Sequence, residues 1–411
     1  MPTVVIVGAS VGGIKTAQSL RLEGYSGEII LIDSESVPAY DKPPLSKAYL
    51  QSGAAPHEIA LLRPDEIAGL SAEFKLGSPA VGMDTEARTV TLESGEAVRY
   101  DALVIATGAR ARRSPWGDGP GIHVLRTMAD ADRLRNELRP GRRLLIIGAG
   151  FIGAEVASTA LNHGVVVTMV DPHPAPMSRV LNEAVGNIFA TKHRKEGVST
   201  VFGHTVSSVT RAGDTFEVEL SNGELLWADS VLVGIGAVVN TEWLASSHLV
   251  LENGVLCGPT LNAIGADRVF AVGDIARWTS ATNNEVLRLE HWTNAVDQAK
   301  TVAHNIVHPD DLVEYETVEY VWSDQFDWKI QVVGRTGASD FDILGDPADG
   351  KFAVLYTAAD STLMGAVVVN WPRALIACRR AVANRRVTDD VSTELSANLS
   401  ASRVSLSATA R

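Results

Sequence analysis

Short apolar runs and stretches of helical spacing alternate along the chain, and that alternation predicts an α/β fold. Thr3–Val7 is a β-branched run of strand length, Ile14–Leu22 places its apolar residues at helical spacing, and Glu28–Ile32 is a second apolar run. The same order returns in Arg143–Ile147, a following helix and Val165–Val170. Ala102–Ile105 and Val269–Val272 read as isolated strands. Nearer the C-terminus, Lys329–Val333, Ala353–Tyr356 and Gly365–Val369 are strand-like. Trp371-Pro372-Arg373 then opens a helix whose Trp371, Leu375, Cys378 and Val382 fall on one stripe. After Val387 the chain is rich in Ser, Ala and Thr, which predicts a loosely ordered tail.

The residues between strand and helix carry the first chemistry. Gly8-Ala9-Ser10-Val11-Gly12-Gly13 follows the first strand, and Asp33 ends the next one, 20 residues beyond Gly13. A dinucleotide turn needs a sharp bend, close approach of a pyrophosphate, tight helix packing, and an acid for the ribose. Gly8, Gly13 and Asp33 meet three of these needs, while Ser10 stands where a second glycine is usual. The second turn, Gly148-Ala149-Gly150-Phe151-Ile152-Gly153, has every glycine and ends its next strand in Asp171. One such turn is weak evidence; two in register with strand, helix and acid are strong. A carboxylate at Asp171 favours a ribose hydroxyl over a 2′-phosphate, hence NADH over NADPH.

Charge and cysteine content narrow the class. The 411 residues carry a formal net charge of −13, which opposes a general nucleic-acid role. The chain enters a strand pattern at once, and no run reaches the roughly 20 apolar residues of a membrane helix. The two cysteines, Cys257 and Cys378, cannot form a disulfide framework, so a reduced, cytoplasmic protein is expected. No metal-ligating set is expected.

Further segments resemble one family. Ala106-Thr107-Gly108 and Val272-Gly273-Asp274 close strands as in glutathione-reductase-like flavoproteins. Tyr40-Asp41-Lys42-Pro43-Pro44-Leu45-Ser46-Lys47, Leu289-Glu290-His291-Trp292-Thr293-Asn294-Ala295 and Val321-Trp322-Ser323-Asp324-Gln325 resemble bacterial ferredoxin reductases serving haem monooxygenases and Rieske-type oxygenases, the putidaredoxin reductase-like family. The resemblance runs from residue 3 to about 385. It implies two Rossmann-like dinucleotide-binding domains, an FAD-binding domain of 1–111 with 247–314 and an NAD-binding domain of 112–246. A C-terminal α+β domain of 315–411 would follow.

It also implies site roles. FAD would lie along Gly8, Ser10, Gly12, Gly13, Asp33, Lys42, Lys47, Val81, Thr107, Gly108, Arg126, Gly273, Asp274, Glu290, His291 and Trp292. NADH would lie along Gly148, Gly150, Phe151, Ile152, Gly153, Glu155, Asp171 and Gly236. Lys47 and Glu155 would pair beside flavin and nicotinamide, placing a cation near the N5 atom that receives hydride. Trp322 would stack on the flavin and shape the electron exit. The helix after Trp292 would direct its positive end at the flavin, and His291 need not transfer a proton. Disulfide reductases of this superfamily use a cysteine pair near the first helix; here no cysteine precedes Cys257, so electrons would leave the flavin directly.

The expected partner is a [2Fe-2S] ferredoxin, and Arg373, Arg379 and Arg380 offer a basic docking face, although a solvated helix face explains the same residues. A rubredoxin reductase, an NADH oxidase, and a redox-sensing flavoprotein like apoptosis-inducing factor remain alternatives. Monomer and homodimer are both open.

Overall fold

The computed structural model describes residues 2–53, 55–280 and 285–397. They form two units: Met1–Lys42 with Ala55–Arg110 and Ala237–Thr317, and Pro43–Ala54 with Ala111–Gly236 and Val318–Arg411.

The first unit is built on a five-stranded parallel sheet in the order Val269–Ala271, Ala102–Ile105, Thr3–Val7, Glu28–Ile32, Glu73–Lys75. Its central strands are apolar nearly throughout because a parallel sheet is covered on both faces. The helices Val11–Leu22 and Trp292–Val307 pack against each other. Small three-stranded sheets, one of them Ala80–Asp84, Thr89–Leu92 and Ala97–Arg99, complete the unit.

The second unit repeats the plan with the order Ser199–Phe202, Val166–Asp171, Arg143–Ile147, Ser230–Val233, Ile122–His123, again parallel. It also holds an antiparallel five-stranded sheet, Tyr320–Gln325, Trp328–Gly334, Leu363–Val369, Lys351–Thr357, Phe341–Asp346. Val185 and Phe189 of the helix Glu183–Glu196 share a core with Trp328, Phe352 and Tyr356 of that sheet. Phe189 meets Trp328 edge-on at 5.4 Å between ring centroids, a favoured aromatic geometry.

Several boundaries differ from the sequence reading. Residues 43–53 fall in the second unit, where Tyr49 Oη donates to Asp132 Oδ1 at 3.1 Å. Residues 237–246 fall in the first, where Val239 and Leu244 join the core. Tyr315, expected to open the C-terminal domain, is buried in the first core and donates its hydroxyl to Asn294. The expected loose tail is corrected over 388–397, which is helical and buries Val391 and Leu395 beneath the helix Pro372–Ala383. Its Ser- and Thr-rich composition concealed two apolar residues at helical spacing; 398–411 lie outside the described residues. The stripe of Pro372–Ala383 is set by Ala374, Cys378 and Ala381, with Leu375 and Val382 only half-buried. Among the described residues no helix is long and apolar enough to cross a membrane.

Candidate functional site

Both glycine turns show why their residues are needed. Gly8 and Gly148 hold φ of 107° and 108°, a region costly for any residue with a Cβ. A Cβ on Gly8 would overlap the Ala106 carbonyl, and one on Gly148 the Gly234 carbonyl. Gly13 and Gly153 let each helix press onto the carbonyl of Gly8 or Gly148. Asp33 Oδ2 accepts from Ala9 N at 2.5 Å and Oδ1 from Glu35 N at 2.8 Å. Asp171 Oδ2 accepts from Ala149 N at 2.7 Å and Oδ1 from His173 N at 2.9 Å. Each acid therefore clamps its own turn. Burial pushes the Asp33 carboxyl up, against the two N–H groups that lower it.

In the first unit, Ala9, Ser10, Asp33, Glu35, Tyr40 and Lys42 line one pocket. Lys42 pairs with Glu35 at 3.2 Å and lies 4.6 Å from the centroid of the Tyr40 ring. Thr107 is tied to Asn240 through two hydrogen bonds. Gly273 opens a short 3-10 turn with Asp274, and its N–H donates to Gln298 Oε1 at 2.7 Å. Glu290 pairs with Arg288 at 2.8 Å. The Trp292 indole donates to Asp41 Oδ1 at 2.8 Å, which fixes the ring at the start of its helix. His291 caps that helix by position, and burial pushes its imidazole pKa down, leaving it neutral at pH 7. His291 Nδ1 and Gln298 Nε2 are enclosed without a partner among the described residues. Two glycine cradles, a clamped acid and enclosed polar atoms suit a bound dinucleotide. Val81, expected along the flavin, is half exposed at 51%.

In the second unit, a Cβ on Gly150 would meet no atom within 4 Å, and Ile152 is 42% exposed, so this turn has open space before it. Phe151 packs against the core shared with the C-terminal sheet. Gly236 has φ of 104° beside the Arg179 guanidinium. Arg126 directly precedes Thr127, whose hydroxyl caps the helix Met128–Arg135. The donor set fits a second, more accessible dinucleotide.

Lys47 and Glu155 do meet. Lys47 Nζ is 2.8 Å from Glu155 Oε2, and Glu155 is only 5% exposed. The carboxylate also accepts from the Ser46 hydroxyl and, through Oε1, from Ser323 Oγ at 2.7 Å. A buried charge persists when its lone pairs are filled in this way. Gln325 Nε2 donates to Ser323 Oγ at 3.1 Å, and His193 Nε2 lies 3.0 Å from Gln325 Oε1. Donors from His193 through Gln325 and Ser323 thus run one way and end on Glu155. Burial pushes the His193 imidazole down, so it stays neutral. Sequence reasoning missed Asp41, Ser46, His193, Ser323 and Gln325 as partners. Four lay inside quoted motifs; His193 carried no local signal.

Trp322 and Ser323 point to opposite faces of their strand. Trp322 stacks with Tyr320 at 6.3 Å between centroids, and Arg379 lies 4.8 Å over the Tyr320 ring. Both cysteines are buried, and burial pushes each thiol up to about 12. Neither supplies a thiolate near neutral pH.

Residues 2–299 match the model of the pyridine nucleotide-disulphide oxidoreductase family, and residues 320–400 that of the reductase C-terminal domain. The chain belongs to this oxidoreductase family. It is 34% identical to rhodocoxin reductase of Rhodococcus erythropolis, over 93% of this chain and 89% of the relative. It is also 34% identical to the ferredoxin–NAD(+) reductase component of the p-cumate 2,3-dioxygenase system of Pseudomonas putida, over 94% of each chain. Its structure resembles that of putidaredoxin reductase in covalent complex with putidaredoxin, with a TM-score of 0.88, 30% identity and 93% of each chain covered.

Proposed function

We propose that this chain is an FAD-dependent ferredoxin reductase that takes electrons from NADH and delivers them to a [2Fe-2S] ferredoxin of an oxygenase system. The observation that carries it is the pairing of two dinucleotide turns with two inert thiols. When bound, FAD supplies the chemistry of accepting a hydride and releasing its electrons singly. The chain's residues position and tune. Gly8, Gly13, Asp33 and Asp274 serve FAD; Gly148, Gly150, Gly153 and Asp171 serve NADH. Lys47, held by Glu155, supplies a fixed cation for hydride transfer, and Ser323 fixes Glu155 in turn. Trp322, continuing through Tyr320 to Arg379, marks the electron exit.

Arg373 and Arg380 make no ion pair among the described residues, and with Arg379 and exposed Ile376 they form the proposed docking face for an acidic ferredoxin. Arg385 and Arg386, by contrast, are paired to Asp360 and Glu394. The test is anaerobic mixing with NADH or NADPH, followed by addition of an oxidised [2Fe-2S] ferredoxin. Fast bleaching of the flavin by NADH, slower bleaching by NADPH and ferredoxin-dependent reoxidation are expected. A protein without flavin, or one whose reduced flavin ignores ferredoxin, would refute the reading.

A further inference from the structure

Away from the dinucleotide turns, two helices of the first unit end side by side. Val11–Leu22 is followed by Glu23 as its C-cap, and Trp292–Val307 by His308, with His304 one turn earlier. The i, i+4 spacing puts both imidazoles on one helix face, with ring centroids 4.7 Å apart. Glu23 Oε2 lies 3.2 Å from His308 Nε2 and 3.6 Å from His304 Nδ1. The other nitrogen of His304, Nε2, lies 3.0 Å from the Asp311 carbonyl oxygen.

A carbonyl only accepts, so Nε2 of His304 carries the proton in that bond. In the neutral ring, Nδ1 is then a bare lone pair beside a carboxylate. Two electron-rich atoms at that distance repel unless a cation joins them. We propose that Glu23, His304 and His308 form a binding site for a divalent transition metal, with Zn²⁺ as the reference ion. Tetrahedral zinc with bonds of about 2.0–2.2 Å sets its ligand atoms about 3.4 Å apart, and the two distances to Glu23 bracket that value. All three ligand atoms lie within 4.8 Å of one another, so the remaining edge closes by rotation of partly exposed side chains. Two imidazoles and one carboxylate suit zinc, copper or nickel better than calcium or magnesium. The Asp311 carbonyl holds the ligating ring in its tautomer, as outer partners of metal-bound histidines do. A water completes the set from solvent. The bound ion ties the end of the first nucleotide helix to the end of the helix that begins at Trp292, and so stabilises the first unit.

The test uses the FAD-loaded full chain, stripped of metal with a chelator and titrated with ZnCl₂ by calorimetry, with thermal unfolding in parallel. One saturable site and a raised unfolding midpoint are expected. His304→Ala and His308→Ala should each weaken binding by about 10–100-fold or more and remove the midpoint shift, with NADH-driven turnover unchanged. Glu23→Gln, which keeps the shape, should weaken it in the same direction. Equal zinc affinity and midpoint shift in a His304→Ala/His308→Ala double variant would overturn the proposal. So would the absence of a saturable one-to-one zinc site in the metal-free protein.

Discussion

The two nucleotide turns share a backbone and differ in surroundings. In the first, a Cβ on Gly12 would come 3.2 Å from Val272 Cγ2, so the strand end at Val272 closes over the turn. In the second, the equivalent position is Ile152, 42% exposed, and Gly150 faces open space. The first turn is further enclosed by the Gly273–Gln298 and Trp292–Asp41 hydrogen bonds of its own unit. Enclosure slows release, whereas an open turn lets a ligand come and go. On the proposed reading, one motif serves a resident cofactor in the enclosed unit and an exchanging substrate in the open one.

The largest effect should come from Gly8→Ala, because φ of 107° and overlap with the Ala106 carbonyl act together. A loss of about 3 kcal/mol or more and a protein isolated without flavin are expected, read by absorbance and denaturant unfolding. Gly148→Ala carries the same strain in the other turn. It should keep its yellow colour but bleach far more slowly with NADH; equal loss of flavin in both variants would break the comparison.

Glu155→Ala leaves Lys47 in a mostly buried place with the Pro43 carbonyl but without its carboxylate. A cost of about 3 kcal/mol is expected, with Glu155→Gln recovering part of the stability but not the rate of reduction. Ser323→Ala removes one donor to that carboxylate, for about 1 kcal/mol. Its stronger signature would be slower reduction by NADH with flavin content unchanged.

Acid should unfold the protein partly through buried histidines. His123, His193 and His291 have pKa values pushed below the ordinary 6.5 by burial. The unfolded chain binds these protons first, so stability is full above about pH 6.5 and falls below it, by up to about 1.4 kcal/mol per pH unit for each histidine. His193→Gln should flatten part of that slope in unfolding measured at a series of pH values. The smallest effect belongs to Gly150→Ala, whose Cβ meets no protein atom. Stability should be unchanged, while the KM for NADH rises as the methyl group meets the pyrophosphate.

The duplicated turns were legible because their glycines and acids are local demands of backbone geometry, met within about 30 residues. The partners of Glu155 were not. Ser46, Ser323 and Glu155 are brought together by folding across more than 100 residues, and nothing in local spacing states that distance. The strand alternation that separates Trp322 from Ser323 was readable, but only once Tyr320–Gln325 was known to be a strand. His304 and His308 had helical spacing in plain view; their meaning depended on Glu23, 281 residues from His304 and on another helix.

The most direct test of direct electron transfer is to reduce the protein anaerobically with NADH, treat it with iodoacetamide, and add oxidised [2Fe-2S] ferredoxin. Ferredoxin reduction, followed by its visible absorbance, should proceed at the rate of the untreated enzyme, since Cys257 and Cys378 are buried and carry no electrons. A rate lost on alkylation would place a thiol on the path and contradict the assignment.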